Sequence, residues 1–237
     1  MTNKKVVSID PNLRLVRALG EELKLPLLQI ARASELAQKK GDLSSLSEIE
    51  ATANAALRLV DNYLFSTQIL LSQRALDLQP VSVPAALYDT AQYMRRLGKL
   101  YDCDIDVKLQ GRLNLVMASP EALQAALTSL AYSLVNTSNG KRSKIILQAQ
   151  KTGDTVTAKV ISNQTRIAKD SLTNARELFG LARRPLSGVT HANGAGVYVA
   201  DSLFAAMYSE LKVCKLARSS GFMASLLPSH QLALPIG

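Results

Sequence analysis

Apolar residues at Leu13, Val16, Leu19, Leu23, Leu27 and Ile30, continued by Ser34 and Ala37, recur in steps of three and four. That spacing lines one face of a helix and predicts one from Asp10 to about Lys40. Pro26 falls inside it and should bend it, because proline has no N–H to donate and its ring crowds the preceding turn. Gly41-Asp42 reads as the end of this helix and the cap of the next. Ser45 and Glu48 follow at capping-box spacing. The second helix runs to about Ser72. Along it Leu46, Ile49, Ala53, Ala56, Val60, Tyr63, Thr67 and Leu70 alternate strictly in threes and fours, a heptad seam. Two long helices joined by a short turn form a hairpin that cannot cover its own seam. The expectation is an antiparallel four-helix bundle in a homodimer, with Ile49, Ala53, Ala56, Val60, Tyr63, Thr67 and Leu70 at the interface. Packing of the hairpin on the rest of its own chain is the alternative.

The pattern changes after Leu78-Gln79-Pro80-Val81. Pro84 suits the first turn of a helix from Val83 to about Tyr101. Asp104 to Lys108 alternates as a short strand, and Asn114 to Met117 reads as another. Ser119-Pro120-Glu121 caps a helix reaching about Val135, with proline at its first position and an acid in its first turn. Lys144 to Ala149 and Thr155 to Ser162 are strands of a hairpin turning at Lys151-Thr152-Gly153-Asp154. A short helix is expected near Ser171–Phe179 and a longer one from Ala195 to Ala206. Glu210 to Leu216 and Phe222 to Leu227 form a last hairpin around Ser219-Ser220-Gly221. The fold class is therefore α+β: a helical hairpin over residues 1–77, then an α/β sandwich over 78–237 with a mixed sheet and helices on one face.

Composition narrows the chemistry. The chain has 237 residues, 47% of them hydrophobic and 20% charged, as expected of a globular protein. Its two cysteines, Cys103 and Cys214, have no metal-ligand spacing, so neither a zinc cluster nor a disulfide framework is expected. Two lone cysteines fit a reducing compartment. No apolar run approaches the roughly 18 residues that span a bilayer, and the N-terminus lacks a signal-peptide core. A cytoplasmic protein without metal or membrane partner is the expectation. Net charge is +9, unevenly placed. Residues 1–140 carry 15 basic and 14 acidic side chains, whereas 141–237 carry 13 and 5, a net of +8. That excess either serves solubility or binds an anionic partner such as nucleic acid. No basic run exceeds two residues and no aromatics are interleaved, so nucleic acid is not the favoured partner.

Several segments, taken in order, resemble the cytoplasmic core of bacterial sensor histidine kinases. Glu21-Glu22-Leu23-Lys24-Leu25-Pro26-Leu27 resembles the phosphoacceptor box, usually His-Glu-Leu-Arg-Thr-Pro-Leu. Ala56 to Leu64 resembles the second dimerisation helix, and Leu78 to Val83 the connector into the ATP-binding domain. Ser119-Pro120-Glu121-Ala122-Leu123 precedes the helix that bears the asparagine box. Asn193-Gly194-Ala195-Gly196-Val197 resembles the second glycine box, and Gly221 to Pro228 the closing strand. The resemblance covers roughly residues 10–228. It implies an ATPase-type domain behind a dimerisation hairpin and a response-regulator or kinase-type protein partner.

The departures from that family decide what function to expect. Glu21 stands at the phosphoacceptor position and has no imidazole nitrogen to phosphorylate. His191 and His230 lie in the loop before Gly194 and in the tail. Glu22 is kept, but the general-base role the resemblance implies would have no histidine to serve. The paired asparagines that hold Mg²⁺ and triphosphate become Ser129 and Ser133, still on one helix face; Asn136 and Asn139 would point elsewhere. The adenine-binding aspartate maps to Ser162, and two glycines of its box become Gln164 and Arg166. Gly194 and Gly196 keep a backbone that could cradle phosphate at a helix N-terminus, or merely pack that helix tightly. The main expectation is a pseudokinase that acts as a dimeric scaffold or regulator without a cofactor. Two alternatives stand beside it. One is a nucleotide-binding kinase or phosphotransferase with an altered site, holding ATP/Mg weakly through Ser129, Ser133, Gly194, Gly196 and Arg183-Arg184. The other is an anion-binding module using the basic C-terminal region. Histidine phosphotransferases on the same dimeric plan match in size, but they also need the histidine replaced by Glu21.

Overall fold

The structure, a computed structural model, describes residues 11–40, 44–72, 75–136, 142–163, 167, 194–217 and 219–229. Gly41-Asp42, the Ser171–Phe179 helix, Asn139, Gln164, Arg166, Arg183-Arg184, His191 and His230 lie outside the described residues.

Two long helices open the chain, α1 (Pro11–Lys40) and α2 (Ser44–Ser72), antiparallel neighbours as the periodicities require. α1 runs unbroken across Pro26, which is buried. Of its expected inward face Leu19 and Leu23 pack against the core, but Leu27 is 58% exposed, while Glu22, Pro26 and Ala33 are buried. The α/β part follows as β1 (Gln79–Val81), α3 (Val83–Leu100), β2 (Cys103–Gln110), β3 (Val116–Ala118), α4 (Pro120–Asn136), β4 (Ser143–Thr152), β5 (Thr155–Ser162), α5 (Gly194–Ala206), β6 (Leu211–Leu216) and β7 (Ser219–Leu226). The chain is thus α+β, with a helical hairpin ahead of a mixed sheet.

The helix starts carry Pro84 and Ser119-Pro120 as expected, with Ser82 as a further cap. Ser82 caps α3, its hydroxyl accepting from the Ala85 N–H at 3.4 Å, with Pro84 in the first turn. Ser119 caps α4 in the same way, accepting from the Ala122 N–H at 3.3 Å. Five strands form one sheet in the order β2-β4-β5-β7-β6, with β2 parallel to β4 and the other neighbours antiparallel. Ile145, Leu147 and Ala149 of β4 are buried on one face, and α3 and α4 pack against that strand. The other face pairs Ile146 with Ile161 toward one end and is polar beyond them. Gln148 there donates to Gln110 and Gln150, and Lys159 donates to Gln150.

Three expectations are corrected. β1 lies in the segment expected to be a connector, and it pairs antiparallel with β3, Gln79 opposite Ala118 and Val81 opposite Val116. β2 extends beyond Asp104–Lys108 at both ends. The last hairpin turns between Leu216 and Ser219, which face each other, so Ser219-Ser220-Gly221 is strand rather than turn. Gly221 is placed by packing: a Cβ there would run into the Val160 carbonyl oxygen and lie 2.7 Å from the Ile161 Cα.

Cys103 and Cys214 are buried free thiols. They belong to β2 and β6, the opposite edges of the five-stranded sheet, roughly 19 Å apart at normal strand spacing. No disulfide can join them. Among the described residues no helix is long and apolar enough to cross a membrane, and no group of His, Cys, Asp and Glu could hold a metal ion.

Candidate functional site at the start of helix α5

The first N–H groups of a helix have no partner within it and carry its positive end. At the start of α5 two of them are taken by a side chain from 173 residues earlier. The Ala195 and Gly196 N–H groups donate to Oε1 of Glu22 on α1, at 3.0 and 3.3 Å. Glu22 is 2% exposed, and its Oε2 has no hydrogen-bond partner. Burial pushes the carboxyl group up to about 7, and the two backbone N–H bonds pull it back only in part. Glu21 is one residue away and therefore on another side of the helix. It is largely exposed and pairs with Lys24 at 2.7 Å.

Helix α4 lies directly on α5. Ser129 and Ser133, one turn apart, are both 1% exposed. A Cβ at Gly196 would run into Ser133 Oγ and come within 2.9 Å of the Ser129 carbonyl oxygen. Glycine is what lets the two helices close. Ser129 Oγ accepts from Asn62 of α2 at 3.1 Å, whereas Ser133 Oγ has no partner. Beside them Tyr132 is buried, and burial followed by the neighbouring Tyr101 and Glu22 pushes its phenol far up, so it stays neutral. Gly194 is the first residue of α5. Ser162 ends β5, buried between Ile145 of β4 and Ser220 of β7. Of the predicted site residues, the structure thus gathers Glu22, Ser129, Ser133 and Gly196 and turns Glu21 outward.

The hairpin is docked on the α/β part through further bonds. Tyr101 OH donates to Gln29 at 2.7 Å, and Tyr93 OH to the Asn54 carbonyl at 3.2 Å. The Arg58 guanidinium stands 4.4 Å from the Tyr93 ring centre. Ala55, Leu59 and Tyr63 join the same buried cluster as α3, α4 and α5. Of the seven residues predicted for a dimer interface, Ala56 and Tyr63 are buried within this chain. Ile49, Ala53, Val60 and Thr67 are half-buried, and Leu70 is exposed. Leu46, Leu57 and Leu64 form a separate exposed line on α2, since steps of 11 and 7 return to one side of a helix. A groove of about 690 Å³ opens elsewhere, between α2, α3 and the start of α4. Arg58, Asp89, Tyr93, Arg96 and Glu121 line it, and no residue of α5 does.

Sequence reasoning placed Ser129, Ser133 and Gly196 but missed the work of Glu22 and Asn62. A signal for Glu22 was present: Leu19, Glu22, Pro26, Ala33 and Ala37 share one side of the helix, so an acid stands among apolar and small residues. For Asn62 no local signal exists, because its partners lie on α4.

No family model matches the chain, and no curated protein matches it in sequence. Solved structures do match it in fold. The histidine kinase AdeS of Acinetobacter baumannii is 12% identical, with 88% of this chain and 98% of that one covered and a TM-score of 0.57. Full-length ShkA, solved in complex with AMPPNP, is 18% identical over 93% of this chain and 47% of its own, with a TM-score of 0.58. A bacterial phosphotransferase is 12% identical over 90% and 95%, with a TM-score of 0.50. At such identities the likeness is one of fold, and on it the chain has the architecture of the cytoplasmic core of bacterial sensor histidine kinases.

Proposed function

We propose that this chain is a pseudokinase on the histidine-kinase fold: a dimeric scaffold or regulator that engages a response-regulator or kinase-type protein and transfers no phosphate itself. The observation that carries the reading is the occupation of the α5 N-terminus by Glu22, with α4 packed straight onto α5 through Gly196. A helix N-terminus is where a phosphate would be held, and here a carboxyl group of the same chain holds it. Loss of the acceptor agrees, since Glu21 offers a carboxylate paired to Lys24 in place of an imidazole. The exposed leucines of α2 support a second hairpin as partner, and the general habit of the kinase fold supports a response-regulator-type ligand. Incubation of the purified chain with γ-labelled ATP and Mg²⁺ tests the reading. The expected result is no acid-labile label; stoichiometric acid-labile phosphate on the protein would overturn it.

A further inference from the structure

The five-stranded sheet has a covered side and an open one. Ile145, Leu147 and Ala149 lie on the covered side, under α3 and α4, whereas Gln148, Lys159 and Met223 in the middle of the other side are only half-buried. We infer that this open side docks an acidic protein segment through Lys108, Lys159 and Lys212, a row of lysines that crosses all five strands.

The register places the row. Lys108 of β2 faces Gln148 of β4, Gln148 faces Lys159 of β5, Lys159 faces Met223 of β7, and Met223 faces Lys212 of β6. Side chains alternate along a strand, so these five point away from the buried Leu147, Val160 and Phe222. Neighbouring strands sit about 4.8 Å apart, which sets successive lysines about 9.6 Å apart. The next row, Gln110, Gln150, Thr157 and Ser225, is uncharged. Hydrogen bonds order this surface in advance: Gln148 donates to Gln110 and Gln150, Thr157 to Thr152, and Lys159 Nζ to Gln150 at 3.0 Å. The Lys159 ammonium is thereby positioned with two N–H groups to spare. The acids of this side are already matched. Asp106 pairs with Lys144 at 3.1 Å, Asp104 with Arg142 at 3.5 Å, and Glu210 with Lys212 at 3.0 Å. The last pair is exposed and easily exchanged for another carboxylate. Lys108 and Lys159 make no ion pair among the described residues.

The chemistry of the rows selects the partner. Neither row has an arginine to grip a phosphate through two bonds, or an aromatic ring on which a base could stack. Carboxylates therefore fit better than a nucleic acid. On one side of a helix, two turns set carboxylates about 10.5 Å apart, close to the lysine spacing. Met223, between Lys159 and Lys212, adds an adaptable apolar contact. The inference goes beyond the proposed function and stands without it, because phosphate transfer by the chain would leave this side of the sheet unaltered.

The probe is a helical peptide of alanine and glutamine with a glutamate every seventh residue. It is titrated into the full chain while the Met223 methyl resonance is followed by NMR. Binding should shift that resonance and weaken about tenfold or more between about 20 mM and 300 mM salt. It should weaken about tenfold or more again when Lys108→Gln, Lys159→Gln and Lys212→Gln are combined. Lys99, Lys151 and Lys215 are exposed and outside the row. Their combined replacement by glutamine changes net charge equally and should leave binding within about twofold. An unmoved Met223 resonance, or equal losses in the two triple variants, would overturn the proposal. So would tighter binding of poly-uridylate through the same lysines, which would make the surface a nucleic-acid site. The Met223 titration of the unchanged chain decides even if the first triple variant fails to fold.

Discussion

Glu22 balances two opposed effects. Burial disfavours its charge, two N–H donors favour it, and burial wins, leaving the group near 7 against an ordinary 4.5. Oε1 can accept both N–H bonds with or without a proton on Oε2. Because the folded-state value is raised, the folded protein holds the proton more tightly than the unfolded chain. This contribution to stability is fully present below 4.5 and is lost as pH rises through about 7. Between pH 5.5 and 8 the loss amounts to about 2 kcal/mol. Asp106 shifts the opposite way, held low by the hydrogen bond from Lys144, and its contribution disappears only in acid below that window. Urea midpoints at pH 5.5 and 8 should therefore show the unchanged chain weakening with pH. Glu22→Gln should lose that slope and be the more stable of the two at pH 8. A stability that rises with pH in the unchanged chain and survives the substitution would contradict this. Ser133 gives a second test at the same scale. Its hydroxyl is buried without a partner, so Ser133→Ala should change stability by less than about 1 kcal/mol or raise it.

At the level of the elements, the closed site depends on how nearly α4 and α5 touch. Gly196→Ala would drive a methyl group into Ser133 and the Ser129 carbonyl, and overpacking of this kind costs about 1–3 kcal/mol. Because α5 would be pushed off α4, the Asn62–Ser129 bond and protection of the Ala195 amide should weaken along with global stability. A denaturation curve and an exchange profile both unchanged would show that the contact is slack. How far these elements could be read from residues follows from what fixes them. α2, α4 and the β4–β5 hairpin are set by periodicity, caps and a short turn, all local in sequence. β1 has three residues, one of them Pro80, so it carries no period and exists only because β3 lies beside it. The inward face of α1 departs in part from the periodicity for a related reason. Leu19 and Leu23 pack against the core as the periodicity requires, but Leu27 is exposed, and α1 turns Glu22, Pro26 and Ala33 inward, where α5 supplies donors for the acid. The serines and glycine of the site were legible as substitutions within a resembled motif; their closure onto one another was not, since it depends on the geometry of helices whose bonded residues lie 67 and 174 positions apart.

Taken whole, the molecule is a helical hairpin resting on an α/β part, with Glu22 of the hairpin hydrogen-bonded to the start of α5. The hairpin still presents Leu46, Leu57 and Leu64 to solvent on one side of α2. Light scattering should give twice the chain mass of 25.6 kDa, and Leu57→Glu with Leu64→Glu should return it to the monomer without unfolding it; a monomeric unchanged chain would contradict the dimer. The proposed function turns on whether the α4–α5 site is closed to nucleotide. Calorimetric titration of the full chain with MgATP at neutral pH reads this directly. No saturable heat up to millimolar ATP is the expected result, and saturable binding with defined stoichiometry would contradict the account.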